Sequence, residues 1–174
     1  MVQLLEDQVS YRDNTVGSRS KIDHAYIAGF LDGDGSLMLQ LKKRKDGTAK
    51  FRFMSTICFY QDSRHEEPLR FIRDVLGIGY FSRRNDGMSE LRINGFAQTK
   101  RILEKLIPFI RFKKLQAKTL YDAAELLSKK KVQKLSKEDR SKLVEYISVI
   151  QSENYSTKHK RSKNELRRIL DLTP

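Results

Sequence analysis

The chain is short of three things, and each shortage excludes something. It has one cysteine, Cys58, in 174 residues, which rules out an internal disulfide and a metal site built from a cysteine cluster and fits a reducing compartment. It has no apolar run near the roughly 18 residues of a membrane-crossing helix. Its first 20 residues, MVQLLEDQVSYRDNTVGSRS, have neither a basic stretch followed by a greasy one nor the acid-poor character of a transit segment. The expectation is an intracellular protein that stays where it is made. That means an organelle for an organelle-encoded eukaryotic chain, or the cytoplasm of a prokaryote.

Negative charge is also scarce. Thirty-five Lys and Arg stand against 22 Asp and Glu, a formal charge of +13. An excess of that size attracts polyanions through its summed field, and nucleic acid is the commonest polyanion a basic domain meets. A membrane surface is the competing target. The hydrophobic fraction, 39%, is enough for one domain with a real core and a large polar surface.

The hydrophobic period changes repeatedly along the chain. Residues 1–20 are polar without sustained periodicity and read as an arm; the domain proper is expected over 21–174, with a core at 21–128 and C-terminal helices at 129–174. A helical pattern runs from Lys21 to Leu31. Then Leu37, Leu39 and Leu41 alternate with Met38, Gln40, Lys42 and Arg44, the signature of a half-buried strand. Asp46 and Gly47 supply turn chemistry before a second alternating run, in which Phe51, Phe53, Ile57 and Phe59 oppose Arg52, Met54, Thr56, Cys58 and Tyr60.

EEPLRFIRDVLG reads as a helix with Pro68 in its first turn and Gly77 at its end. A second hairpin turns at Asp86 and Gly87, with Ser82, Arg84, Glu90 and Arg92 on one face and Phe81, Leu91 and Ile93 on the other. Helical stretches follow at about 96–107, 113–128, 136–153 and 163–170, the third opened by a capping box of Ser136 and Asp139. The order predicts an α+β fold: a four-stranded antiparallel sheet with helices on one face and the other face free.

A polar strand face is ordinarily a solvated one. Here both hairpins place Arg and Lys on the same side, in a chain that is strongly basic as a whole. Strands with that lining enter the major groove of DNA, where Arg and Lys read guanine, Gln reads adenine and an apolar atom of Met54 or Thr56 meets a thymine methyl.

The most informative segment is IAGFLDGDGS, residues 27–36. A calcium loop beginning at Asp32 needs glycine at its sixth position and glutamate at its twelfth; those places hold Leu37 and Lys43. A phosphate-binding G-x-G-x-x-G loop fails too, because Met38 replaces the third glycine and the order is helix to strand. A plain helix end with polar turn residues leaves a stripe unexplained: Ala25, Gly29 and Gly33 lie four residues apart on one helix face. Glycine inside a helix costs roughly 1 kcal/mol relative to alanine, and close approach of a second helix is the compensation. If that helix is a second copy related by a two-fold axis, the two Asp34 carboxylates converge. Such hard oxygen ligands suit magnesium, and paired sites favour displacement at a phosphodiester.

The stretch YIAGFLDGDGS at 26–36 resembles the signature of the LAGLIDADG homing endonucleases, specifically the single-motif, homodimeric, intron-encoded class. GIGY at 77–80 and IPFIRFKKLQA at 107–117 are similar to that class as well, and the likeness extends over about residues 22–128. The resemblance implies an αββαββα core with a saddle-shaped sheet and a homodimer of motif helices on a long, near-palindromic double-stranded DNA site. It also implies Mg2+, with Mn2+ or Ca2+ able to occupy the same sites, and cleavage leaving 3′ overhangs.

By the same resemblance Asp34 binds metal with the Gly33 carbonyl beside it. Asp32 caps or hydrogen-bonds within the dimer interface that Ala25, Gly29 and Gly33 form. Gln61 organises water, and Lys113, or Lys114 in its stead, stabilises the phosphate. His65 or Arg64 stands where a relative has a basic residue. His24 and His159 are left as structural. The competing readings are a non-cleaving DNA-binding regulator, a maturase that takes its intron RNA as partner, and a structural RNA-binding protein; the last explains the charge and not the LDGDG helix.

Overall fold

A computed structural model describes residues 16–43, 51–154 and 160–172. Most of the N-terminal arm, the Asp46–Gly47 turn, Arg44 and His159 lie outside the described residues. Helix α1 (Val16–Asp34) runs without a loop into strand β1 (Gly35–Lys43), and β2 (Phe51–Asp62) ends in a single 3-10 turn at Ser63–His65. Then come α2 (Glu67–Leu76), β3 (Tyr80–Arg83), β4 (Met88–Asn94), α3 (Phe96–Leu106), α4 (Lys114–Lys129), α5 (Lys137–Glu153) and α6 (Lys163–Ile169). The expected order of elements is present, with α1 longer at both ends than the apolar pattern suggested.

The sheet is antiparallel throughout in the order β1-β2-β4-β3. Alternation sets its faces. Leu37, Leu39, Leu41, Phe53, Ile57, Phe59, Leu91 and Ile93 point to the helices and form one core with Ile27 and Leu31 of α1, Leu69 and Ile72 of α2, and the apolar faces of α3 to α5. Helix ends follow local chemistry. Pro68 opens α2, and Gly77, at φ 67°, closes it by donating its N–H to the Arg73 carbonyl. Ser136 and Asp139 make the expected reciprocal box at the start of α5. No helix among the described residues is long and apolar enough to cross a membrane.

Three glycines in FLDGDGS and its preceding helix have different reasons. A Cβ at Gly35 would overlap the Leu31 side chain and lie 2.8 Å from both Leu31 Cα and its carbonyl oxygen. The last turn of α1 and the first residue of β1 are that close, so only glycine fits. At Gly29 and Gly33 a Cβ would meet nothing within 4 Å. Among the described residues nothing gives either position a steric need for glycine.

Candidate nucleic-acid interface and metal centre

The free face of the sheet is laid out by its register. Lys42 pairs with Arg52, Gln40 with Met54 and Met38 with Thr56. Cys58 stands between Ser36 and Arg92, with Tyr80 beyond, and Tyr60, Glu90 and Ser82 form the next row. Lys42 and Arg52, directly opposite and both exposed, are a like-charged cross-strand pair, which is unfavourable alone and relieved by a polyanion. Met38, Gln40, Met54, Tyr60 and Ser82 are half-buried on the same face.

Four of the expected DNA-reading residues are placed otherwise. Thr56 is 1% exposed and donates its hydroxyl to Asn94 Oδ1 at 2.7 Å. Cys58 is 0% exposed, covered in the middle of the sheet where the Glu90 and Arg92 side chains close over it. Burial pushes its thiol up, and burial likewise pushes the neighbouring Tyr60 phenol up to about 12. Glu90, 8% exposed, accepts from Arg92 at 2.9 Å and from Ser82 at 3.2 Å. It supports Arg92 of the adjoining row, which keeps partial access to solvent. Arg84 lies one residue past β3 and pairs with Asp86 across the turn at 2.6 Å. Alternation identified which face each residue occupies; it carried no information on how far neighbouring side chains bury it.

Residues that the pattern did not flag also border this face. Tyr80 is largely exposed in the Cys58–Arg92 row. The outer edge of β1 is closed by side chains from the C-terminal segment: Asn154 Nδ2 donates to the Leu37 carbonyl at 3.0 Å, and Arg161 Nη1 to the Leu41 carbonyl at 2.7 Å. Covering an edge strand this way satisfies its orphan carbonyls, and it brings Lys160 and Arg161 beside Met38, Gln40 and Lys42. Residues so distant in sequence give no local signal.

At the α1–β1 junction the two aspartates separate in role. The Asp32 carboxylate accepts three consecutive backbone N–H groups, from Arg111 at 2.7 Å, Phe112 at 3.1 Å and Lys113 at 2.9 Å. Its hydrogen bonds are therefore made inside its own chain, where the sequence reading placed them in the dimer interface. Asp34, the last residue of α1, is exposed and has no hydrogen-bond or ion-pair partner among the described residues. Among those residues no three His, Cys, Asp or Glu cluster as a metal site.

Lys113 is also placed differently from expectation. Its ammonium is nearly buried, 7% exposed as a residue, and donates to the carbonyls of Leu31 at 2.9 Å, Asp32 at 2.6 Å and Gly33 at 3.3 Å. A cation on the orphan carbonyls of a helix C-terminus is favourable with the helix dipole. Burial lowers its pKa, and the charges of Asp32 and Asp34 oppose that shift. In this arrangement it fixes α1 and engages the Gly33 carbonyl; the exposed neighbour is Lys114.

Gln61 is two residues beyond Phe59, which pairs with Gly35, so the end of β2 runs beside the Asp34 end of α1. Its Oε1 accepts the Asp62 N–H at 2.8 Å. Arg64 is locked onto Asp62 by its N–H, Nε and Nη2, the last at 2.8 Å; these contacts hold the Asp62 carboxyl well below the usual carboxylate range. His65 is exposed and makes no hydrogen bond among the described residues. Of the two basic candidates, Arg64 is paired with Asp62 and His65 has no such partner among the described residues.

The stripe of Ala25, Gly29 and Gly33 is exposed along α1. Beside it are exposed apolar side chains, Ile22 and Tyr26, the latter edge-on to Phe71 of α2 with ring centroids 5.6 Å apart.

The sequence profile of the LAGLIDADG endonucleases matches residues 27–124, more than half of the chain. The DNA endonuclease I-CvuI of Chlorella vulgaris is 35% identical over 98 residues, which is 56% of this chain and 61% of that protein. The DNA endonuclease I-CreI of Chlamydomonas reinhardtii is 28% identical over 149 residues, covering 84% of this chain and 87% of that one. The crystal structure of I-CvuI with the I-CreI target in the presence of magnesium, its DNA not cleaved, superimposes with a TM-score of 0.75 at 27% identity and covers 88% of this chain and 95% of that one. The same endonuclease has been crystallised on its own target in the presence of calcium.

Proposed function

The chain belongs to the LAGLIDADG endonuclease family, and from that membership we propose that it is a site-specific double-strand DNA endonuclease. It binds a long, near-palindromic site as a homodimer, hydrolyses phosphodiesters with a divalent metal ion and leaves 3′ overhangs. The observation that carries this reading is Asp34, an exposed carboxylate without a partner among the described residues, at the junction between the basic sheet face and a stripe of small residues. Two copies of α1 packed stripe to stripe bring two such carboxylates together, and the apolar flank of Ile22, Tyr26 and Phe71 extends the contact.

The donor set fits a hard cation. Asp34 would hold the metal, with the Gly33 carbonyl as a neighbouring oxygen shared with Lys113; carboxylate and carbonyl oxygens suit Mg2+, and Mn2+ or Ca2+ in its place. The chemistry such an ion supplies is a more acidic water and compensation of charge on the phosphate oxygens. Lys113 holds the final carbonyls of α1, so that the backbone leading to Asp34 does not fray. Lys42, Arg52 and Arg92 on the sheet, with Lys160 and Arg161 at its edge, bind and orient the duplex. His65 supplies a polar group near the scissile phosphate.

The test is a cleavage selection with purified protein, magnesium and a library of near-palindromic duplexes, the cut ends being sequenced. Cuts symmetric about one centre with 3′ overhangs are expected. Selective binding without cutting would turn the reading to a DNA-binding regulator, and splicing of an intron RNA by a cleavage-dead variant to a maturase.

A further inference from the structure

Among the described residues outside the Asp34 site, the most densely engaged side chain is Glu66. It stands at the start of α2, yet its side chain caps no helix N–H. The carboxylate, in a residue only 6% exposed, accepts four side-chain hydrogen bonds from three elements. Arg83 of β3 donates Nε at 2.9 Å and Nη2 at 2.7 Å, Arg70 of α2 donates Nη2 at 2.7 Å, and Ser89 of β4 donates its hydroxyl at 2.7 Å. The Ser89 hydroxyl lies 2.9 Å from that of Ser63, in the 3-10 turn, and the Ser63 N–H donates to the Gly87 carbonyl at 2.9 Å.

What this cluster holds is the segment that carries the reaction-side candidates. Ser89 is the ladder partner of Gln61, and the Ser63–His65 turn presents His65. The two arginines remain partly exposed while the acid is buried. A buried acid tied to donors from several elements adds little net stability compared with an apolar cluster of the same size, and what it does provide is one defined arrangement. We propose that Glu66 is a positioning residue for DNA cleavage: it locks the turn between Gln61 and His65 to the β3–β4 hairpin, so that both side chains are held in fixed positions at the end of β2, which runs beside the Asp34 end of α1. This rests on the endonuclease reading given above.

The test uses the full-length protein and Glu66→Gln and Ser89→Ala, on a duplex the native protein has been selected to cut. Three quantities are read: the single-turnover cleavage rate at saturating protein, the Kd for the duplex, and amide hydrogen exchange across residues 61–66. Small displacements of positioned groups cost up to about a hundredfold in rate, so Glu66→Gln is expected to slow cleavage by about tenfold or more and Ser89→Ala by a few fold. Kd stays within about threefold for both, and exchange at the turn speeds up. Native rates and native exchange in both variants overturn the proposal, as does a proportional fall of rate and affinity, which marks general loss of fold. If Glu66→Gln fails to fold, Ser89→Ala decides alone on the same outcomes. If the native protein cuts nothing, the endonuclease reading is what fails, and faster or unchanged exchange in Glu66→Gln then supports or overturns the locking of the turn.

Discussion

Asp32 and Lys113 hold each other twice: the Lys113 N–H donates to the Asp32 carboxylate at 2.9 Å, and the Lys113 ammonium donates to the Asp32 carbonyl at 2.6 Å. Asp32 lies in the last turn of α1 and Lys113 directly precedes α4, so this pair fastens the C-terminal end of α1 to the loop at 111–113. Asp34, two residues on, is left uncommitted.

Asp32→Ala is expected to destabilise the fold by roughly 2 kcal/mol, because it strips the acceptor from a set of backbone N–H groups. Asp34→Ala, an exposed change away from any partner, is expected to stay within about 0.5 kcal/mol of the native value. Urea unfolding of both variants checks the contrast.

The glycines divide in the same way. Gly35→Ala forces a Cβ onto Leu31 and is expected to cost about 1–3 kcal/mol, the usual range for overpacking. Gly29→Ala meets open space in the monomer and leaves or improves helix stability by up to about 1 kcal/mol. It weakens self-association if the stripe is the dimer contact, which sedimentation equilibrium measures.

On the sheet, Lys42→Ala and Arg52→Ala are expected to weaken DNA binding across sequences and to lower the slope of log K against log salt by about one each. Arg92→Ala is expected to relax preference at one base position instead. Binding titrations over a salt series separate the two effects.

Much of this was legible in the sequence. Strict alternation in Leu37, Leu39 and Leu41 and in Phe51, Phe53, Ile57 and Phe59 gave strands and their faces. The small-residue stripe gave a helix with an unfilled side, and the DGDG segment with its neighbours gave the family. Depth was not legible: Thr56 and Cys58 sit on the polar face and are buried, because β2 is a central strand whose side chains are covered from both neighbours. Nor were long-range polar partners. Nothing local to Lys113 announces that its ammonium reaches α1, and nothing local to Glu66 announces that Arg83 and Ser89 fold over it.

The Glu66 cluster makes an acid-side prediction. Arg83 above all, then Ser89 and Arg70, hold its carboxyl well below the ordinary glutamate value of 4.5. A folded-state pKa depressed in this way gives stability that is fully present above about pH 4.5 and is lost as the pH falls below it. Thermal midpoints measured from pH 7 downward should fall less steeply below that value in Glu66→Gln than in the native protein.

On the proposed function, Asp34 holds the metal ion while other residues of the chain bind the duplex. The most direct measurement compares native protein and Asp34→Asn on the same selected duplex, with cleavage and Kd read in parallel at fixed magnesium and salt. Asp34→Asn is expected to bind the duplex at least as well as the native protein and to cut neither strand. Cleavage by Asp34→Asn at the native rate would overturn the assignment of Asp34 as the metal ligand.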